Sequence, residues 1–433
     1  MNFTKYTNEL LKESYYKGKH KSGLEVIVIP KDQMTLYATF ATRYGSMDNT
    51  FKTGSDSEYI TVPDGIAHFL EHKLFESDDG TDTFSRFTAL GASANAYTSN
   101  EVTSYLFSAT ENYYESLEVL LDFVTHPYFS KENVDKEMGI IEQELRMYED
   151  NPYRWMYQEL LRGLYQKNTV NIPVGGTVES IHEITPEILY DCYNTFYNLN
   201  NMVLIVCGNV SLDGVEAVMD KALKESCGIA IEKKIADEPR AVAREYTEKK
   251  FPVALPVFNI GLKETDIGGD GRAFIKREFE HMIIAELIFG KTSQFYNTLY
   301  SEGLINQKFG TAYYSSASWG FFIASGESRD PISVRDRIKE EIELWRAGKK
   351  EISSDDFERA KRVLYSASVQ AWNSTSDIAE GFLDYYLAGA DMLDLPEVLS
   401  GIGIEDIKKR LEVSYDTSLV SMTVAKPEDK EGE

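Results

Sequence analysis

His68-Phe69-Leu70-Glu71-His72 sets two imidazoles four residues apart with a glutamate between them. On a helix those two positions share a face, so both rings can reach one metal ion. Glu71 can then stand over the ion's open position without binding it. The pattern is H-x-x-E-H, the reverse of the commoner H-E-x-x-H. Pro63-Asp64-Gly65 precedes it and reads as a helix start, with Asp64 as the expected N-cap.

Two histidines hold a catalytic zinc poorly; three protein ligands and a water are the usual set. The stretch Lys131–Glu149 offers the third. Val134, Met138, Ile141, Leu145 and Tyr148 form an apolar stripe at helical spacing. Glu137 and Glu144 lie along one edge of that stripe, whereas Glu142 points to the opposite side. A carboxylate at a core edge is costly unless it is paired or coordinating. Glu144 is therefore expected as the third ligand, and Glu137 as a carboxylate that orients a ligating imidazole. Downstream of the motif, Ala92-Ser93-Ala94-Asn95-Ala96-Tyr97-Thr98-Ser99 reads as a strand of small and polar residues. Another backbone can approach such an edge closely, and a peptide could add to it through main-chain hydrogen bonds.

The chain has 433 residues, 42% of them hydrophobic, which is enough for more than one core. Its 45 basic and 70 acidic residues give a net charge of −25, which disfavours nucleic acid and anionic membrane as partners. No apolar run follows a basic start in Met1–Lys21, and no stretch of 18 apolar residues occurs. Cys192, Cys207 and Cys227 lack metal spacing and read as reduced thiols of a cytoplasmic protein. His20, His126, His182 and His281 have no ligand spacing and read as surface or satisfied core residues. Gly290-Lys291-Thr292 is no phosphate loop, because Ala285 stands where that loop needs glycine.

The order of elements restarts after a charged stretch near Glu232–Lys250. Tyr197-Asn198-Leu199-Asn200-Asn201-Met202-Val203 also resembles Tyr415-Asp416-Thr417-Ser418-Leu419-Val420-Ser421. Both features point to a tandem duplication. The expected fold is α+β: two similar domains, each a mainly antiparallel sheet packed with helices. The expected boundaries are 1–230 for a zinc-bearing domain, 231–250 for an exposed linker and 251–433 for a metal-free copy. Superposing the copies through Leu74-Phe75 and Ile288-Phe289 puts Met282, Ala285 and Glu286 at the metal positions.

Taken together, His68, Glu71 and His72, the Asn95-Ala96-Tyr97-Thr98-Ser99 segment and the distal pair Glu137 and Glu144 resemble the pitrilysin or insulinase-like family. These are inverted-motif zinc peptidases, and they include the mitochondrial processing peptidases. The resemblance implies Zn²⁺ held by His68, His72 and Glu144, with Glu71 as general base and Glu137 supporting the site. It places Asn95 and Ala96 along the peptide substrate and makes the chain half of a clamshell chamber. The family also uses an Arg and a Tyr in the carboxy-terminal half to contact substrate. The matching segment here, Phe295–Gly310, has no arginine, and Tyr300 and Asn306 occupy those positions. Tyr313 and Tyr314 stand open as substitutes. Two arrangements follow: a heterodimer whose related partner chain supplies the Arg/Tyr pair, or a homodimer with a different oxyanion contact. A non-catalytic structural or peptide-binding subunit is the rival reading.

Overall fold

A computed structural model describes residues 1–54, 56–78 and 80–428. Its strands are β1 (Thr4–Asn8), β2 (Glu13–Lys19), β3 (Glu25–Pro30), β4 (Leu36–Thr42), β5 (Thr50–Thr53), β6 (Ile60–Thr61), β7 (Ser93–Thr98), β8 (Thr103–Ala109) and β9 (Met202–Gly208). They continue with β10 (Ile231–Lys233), β11 (Tyr246–Phe251), β12 (Val257–Lys263), β13 (Gly310–Ser315), β14 (Gly320–Glu327) and β15 (Val420–Pro427).

Packing divides the chain into two compact units. One comprises 1–146, 172–234 and 370–387; the other comprises 147–171, 235–369 and 388–433. The first holds a seven-stranded sheet in the order β1-β2-β3-β9-β4-β8-β7, the second a five-stranded sheet in the order β11-β15-β12-β14-β13. Five strands of the first sheet repeat the second. β3 and β9 are parallel, as are β11 and β15. The following pairs, β9 with β4 and β4 with β8, are antiparallel like β15 with β12 and β12 with β14. The matched sequence endings behave alike too. Asn198 caps a 3₁₀ turn at Asn200 before β9, and Asp416 caps one at Ser418 before β15. The chain is an α+β protein of two tandem similar copies.

The copies differ from contiguous domains in one respect. Helix Pro152–Leu164 comes from the first half of the sequence but packs on β12 and β15. Helix Thr375–Leu387 comes from the second half and packs on β4 and β9. Each copy's sheet is therefore covered by a helix encoded among the residues of the other. Gly261 permits the first of these contacts, since a Cβ there would lie 3.0 Å from Leu160 and Leu164. The expected 231–250 linker also carries structure. β10 pairs with β5, and β11 runs beside β15. Both are edge strands with mostly solvated side chains, so their Lys and Glu content masks the strand pattern. β1 is likewise a solvated edge strand, at one end of the first sheet.

The motif helix, Ile66–Lys73, is seated by backbone contact. The expected cap at Asp64 is not made; Gly65 occupies the N-cap with φ 88°, and Asp64 accepts from Asn49 at 2.6 Å instead. A Cβ on Gly65 would stand 2.3 Å from the Gly175 carbonyl oxygen. Only glycine meets both the left-handed conformation and that close approach. Ile66, Ala67, Phe69 and Leu70 bury the opposite side of the helix in the core. We expect Gly65→Ala to lower stability by about 1–3 kcal/mol, from strain and displacement of this helix. Thermal unfolding of the metal-free variant beside the parent checks it, and an unchanged Tm would refute the seating argument.

Candidate metal centre

The motif helix and residues 131–146 of helix Lys131–Glu149 belong to the first unit, and Val134, Ile141 and Leu145 are buried in its core as the apolar stripe predicts. Met138 is partly buried against the same core. Glu137 joins the buried face and Glu144 is half-buried at its edge. Glu142 instead pairs at the surface with Arg146 at 2.7 Å and with His182 at 3.3 Å.

His68, His72 and Glu144 bring one ligand atom each to within 4.8 Å of one another. Nε2 of His68 lies 3.8 Å from Glu144 Oε2, and Nε2 of His72 lies 3.5 Å from it. These separations exceed good hydrogen bonds and fall short of indifferent neighbours. Donors each about 2.0–2.1 Å from a tetrahedral ion stand roughly 3.3–3.5 Å apart, which is close to what is seen. The two rings are 4.6 Å apart and inclined at 66°, so their nitrogens converge rather than stack. Two imidazoles and one carboxylate form a zinc donor set, and the residues fit the ion. Among the described residues this is the one such group of His, Cys, Asp and Glu. Of the residues that the sequence superposition sets against these in the second copy, Met282 is solvent-exposed and Glu286 is ion-paired to Arg359 at 2.6 Å.

Glu137 Oε1 lies 2.9 Å from Nδ1 of His72, leaving Nε2 of that ring to face Glu144. Burial pulls the His72 imidazole toward its neutral form, but Glu137, Glu71 and Glu144 outweigh it and its pKa is raised. The His72 contact in turn keeps Glu137 below the usual carboxylate range despite burial. Glu71 behaves differently. Desolvation and the charge of Glu144 raise its pKa, against a hydrogen bond from Thr98 Oγ1 at 2.7 Å and the nearby His72.

Glu71, His72, Glu137, Asn95 and Ala96 line one cavity of about 560 Å³, whose far wall is the stacked pair Phe75 and Phe84 with centroids 4.4 Å apart. Asn95 and Ala96 lie on β7, the edge strand of the first sheet. Asn95 Oδ1 accepts the Ala96 amide at 2.9 Å, so a main-chain donor at this edge is held by a side chain that a peptide could displace. Sequence reasoning missed Thr98 as a partner of Glu71, although it lay inside the quoted segment. It also missed Glu380, which accepts from Tyr97 at 2.6 Å and from Tyr37 at 2.8 Å on the other side of the sheet. A single hydroxyl carries no periodicity to read. In the second unit, Tyr313 is half-buried and its ring stacks on His281 at 3.7 Å. Tyr300 and Tyr314 are exposed, and Asn306 is held by Glu327 at 2.9 Å.

Residues 49–178 match the family model described as insulinase, peptidase family M16, and residues 183–364 match the one described as the peptidase M16 inactive domain. The chain is 38% identical over 430 residues to a protein named an uncharacterized zinc protease, YmfH, of Bacillus subtilis (strain 168), covering 96% of this chain and 98% of that one. A shorter match, 29% identical over 168 residues, joins 37% of this chain to 36% of the mitochondrial-processing peptidase subunit beta of Caenorhabditis elegans. Its fold superposes on the crystal structure of an M16-like protein from Alicyclobacillus acidocaldarius with a TM-score of 0.91 and 34% identity, covering 99% of each chain. With a full-length relative at this level of identity and both domain models matched in order, the chain belongs to the insulinase family of peptidases, M16.

Proposed function

We propose that this chain is a zinc-dependent endopeptidase acting on unstructured peptides, with His68, His72 and Glu144 as ligands and Glu71 as general base. The observation that carries the reading is the meeting of those three ligand atoms beside a partly desolvated carboxylate that is not one of them. When bound, zinc would polarise the scissile carbonyl and lower the pKa of its water to about 7. Glu71 takes the proton of the attacking water and later delivers it to the leaving amine. Its raised pKa suits both halves of that task, because a stronger base accepts the proton more readily at neutral pH. Glu137 fixes the ring orientation of His72 through Nδ1. The peptide would lie along β7 as an added strand, its backbone at Asn95 and Ala96 and its side chains toward the cavity walled by Phe75 and Phe84.

The oxyanion contact comes from elsewhere. The segment Phe295–Gly310 has no arginine, and Asn306 is already held by Glu327. We place the missing Arg/Tyr pair on a related partner chain, in keeping with a relative named as one subunit of a processing peptidase. A homodimer with a different contact is the second arrangement, and a chamber formed between chains would exclude folded proteins. No described helix is long and apolar enough to cross a membrane. Free thiols, two of the three buried, agree with a reducing compartment such as the cytoplasm. The rival reading is a non-catalytic subunit; the match of residues 183–364 to a model named for an inactive domain fits the second copy under either reading.

Peptide cleavage followed by mass spectrometry, with and without a related chain bearing the Arg/Tyr pair, tests the reading. Cleavage by the zinc-loaded chain alone would remove the need for a partner. Silence in both settings from a protein carrying one zinc would favour the rival. Glu71→Gln is expected to keep one zinc and lose cleavage by about 10²–10⁴-fold. His68→Ala, His72→Ala and Glu144→Gln are expected to lose the metal, which elemental analysis reads directly. Glu137→Gln should keep the fold and weaken zinc about 10–100-fold in a competition titration with a chelator. Ala96→Pro should abolish peptide binding in an anisotropy assay while the zinc content stays at one, because proline removes the edge donor.

A further inference from the structure

Glu71 has two carboxylate oxygens, and the reaction proposed above needs one of them aimed at the water. A glutamate carries three rotatable bonds, so burial alone does not choose its direction. Among the described residues, Thr98 Oγ1 is the one hydrogen-bond donor to Glu71, at 2.7 Å from Oε2. We propose that Thr98 is the positioning residue of the base: it holds Oε2 and thereby presents Oε1 to the attacking water.

The position of Thr98 is itself over-determined. It is the last residue of β7 and pairs with Thr103 of β8. The turn beyond it is closed by Ser99, whose amide donates to the Val102 carbonyl at 2.8 Å and whose Oγ accepts from the Glu101 and Val102 amides. On the far side of the sheet, Tyr97 is pinned to Glu380, which also takes the hydroxyl of Tyr37 on β4. Residues alternate across a strand, so Ala96 and Thr98 share the side turned to the motif helix, while Tyr97 faces the other way.

The hydroxyl's direction follows by elimination. Each threonine has one hydroxyl hydrogen. Thr103, 3.4 Å from Thr98, donates its own to the Tyr44 carbonyl at 2.8 Å. Thr103 can still accept, but at 3.4 Å it is the poorer partner. An ionised carboxylate carries no hydrogen and can only accept, so the hydrogen of Thr98 points to Glu71 at 2.7 Å in a charge-assisted bond. One strand then carries both the proposed peptide edge at Asn95 and Ala96 and the hydroxyl that aims the base. A peptide pairing with that edge would stiffen the strand and the direction of Glu71 together.

This inference rests on the endopeptidase reading, and its test has an arm that does not need cleavage. Thr98→Val replaces the hydroxyl by a methyl of similar size; Thr98→Ser keeps it. Crystal structures of the zinc-loaded parent and Thr98→Val compare the direction of the Glu71 carboxylate. The expected result is a rotated carboxylate in the valine variant with the zinc ligands unmoved. An unchanged Glu71 overturns the proposal whether or not the parent cleaves peptides. In kinetics, kcat is expected to fall about 10–100-fold in Thr98→Val with KM within about twofold and one zinc per chain. Thr98→Ser should recover most of that kcat. A loss shared equally by valine and serine, or accompanied by loss of zinc, would make Thr98 a packing residue and overturn the proposal. A parent that cleaves nothing, alone or with a related chain, would sink the endopeptidase reading and leave the structural arm to decide the placement of Thr98.

Discussion

Three carboxylates and two imidazoles meet at one edge of the first unit's core, and their partial burial is the constraint on which the rest of the site depends. Glu71, Glu137 and Glu144 repel one another when ionised, and leaving water raises the cost of each charge. The fold answers Glu137 with His72 and Glu71 with Thr98. Glu144 faces both imidazole Nε2 atoms at separations too long to be good hydrogen bonds. A divalent cation at that point would offset the excess negative charge and use the separations as they stand. Two imidazoles and a carboxylate at these separations suit such an ion.

Holding these groups in register takes rigid supports, and close backbone approach and core packing supply them together. The motif helix approaches Gly175 at a distance that leaves no room for a Cβ on Gly65, and Gly175 itself lies against Leu145 and His68. A helix that close cannot slide without a clash. Helix Lys131–Glu149 is fixed on its other side by Val134, Ile141 and Leu145, so Glu137 and Glu144 inherit its position.

Much of this was legible in the sequence, for a definite reason. Periods of helix and strand are written in apolar spacing, which is why helix Lys131–Glu149 and strand β7 emerge with almost the observed bounds. The convergence of His68, His72 and Glu144 follows from residue chemistry added to those periods. What stayed hidden has no local signature. β1, β10 and β11 are solvated edges rich in polar side chains, and β5 and β6 are only four and two residues long. Asp64 satisfies the rule for an N-cap, yet the close approach of Gly175 favoured a glycine one residue later. The stacking of Tyr313 on His281 depends on tertiary packing that a motif comparison cannot see.

The exchanged helices were equally invisible, and they bear on how such a chain could arise. A single ancestral copy with this topology would leave the face of its central strands bare, since its own covering helix reaches out to another sheet. Two such copies could complete each other by lending helices reciprocally, an arrangement of the domain-swapped kind. Joining them in one polypeptide makes the loan intramolecular and raises the effective concentration of each lender. Once tethered, the copies no longer need to be identical, because neither has to bind itself. One could keep His68, Glu71 and His72 while the other, where the sequence superposition reads Met282, Ala285 and Glu286, was released from that requirement. Neither half could later be inherited alone without uncovering a sheet.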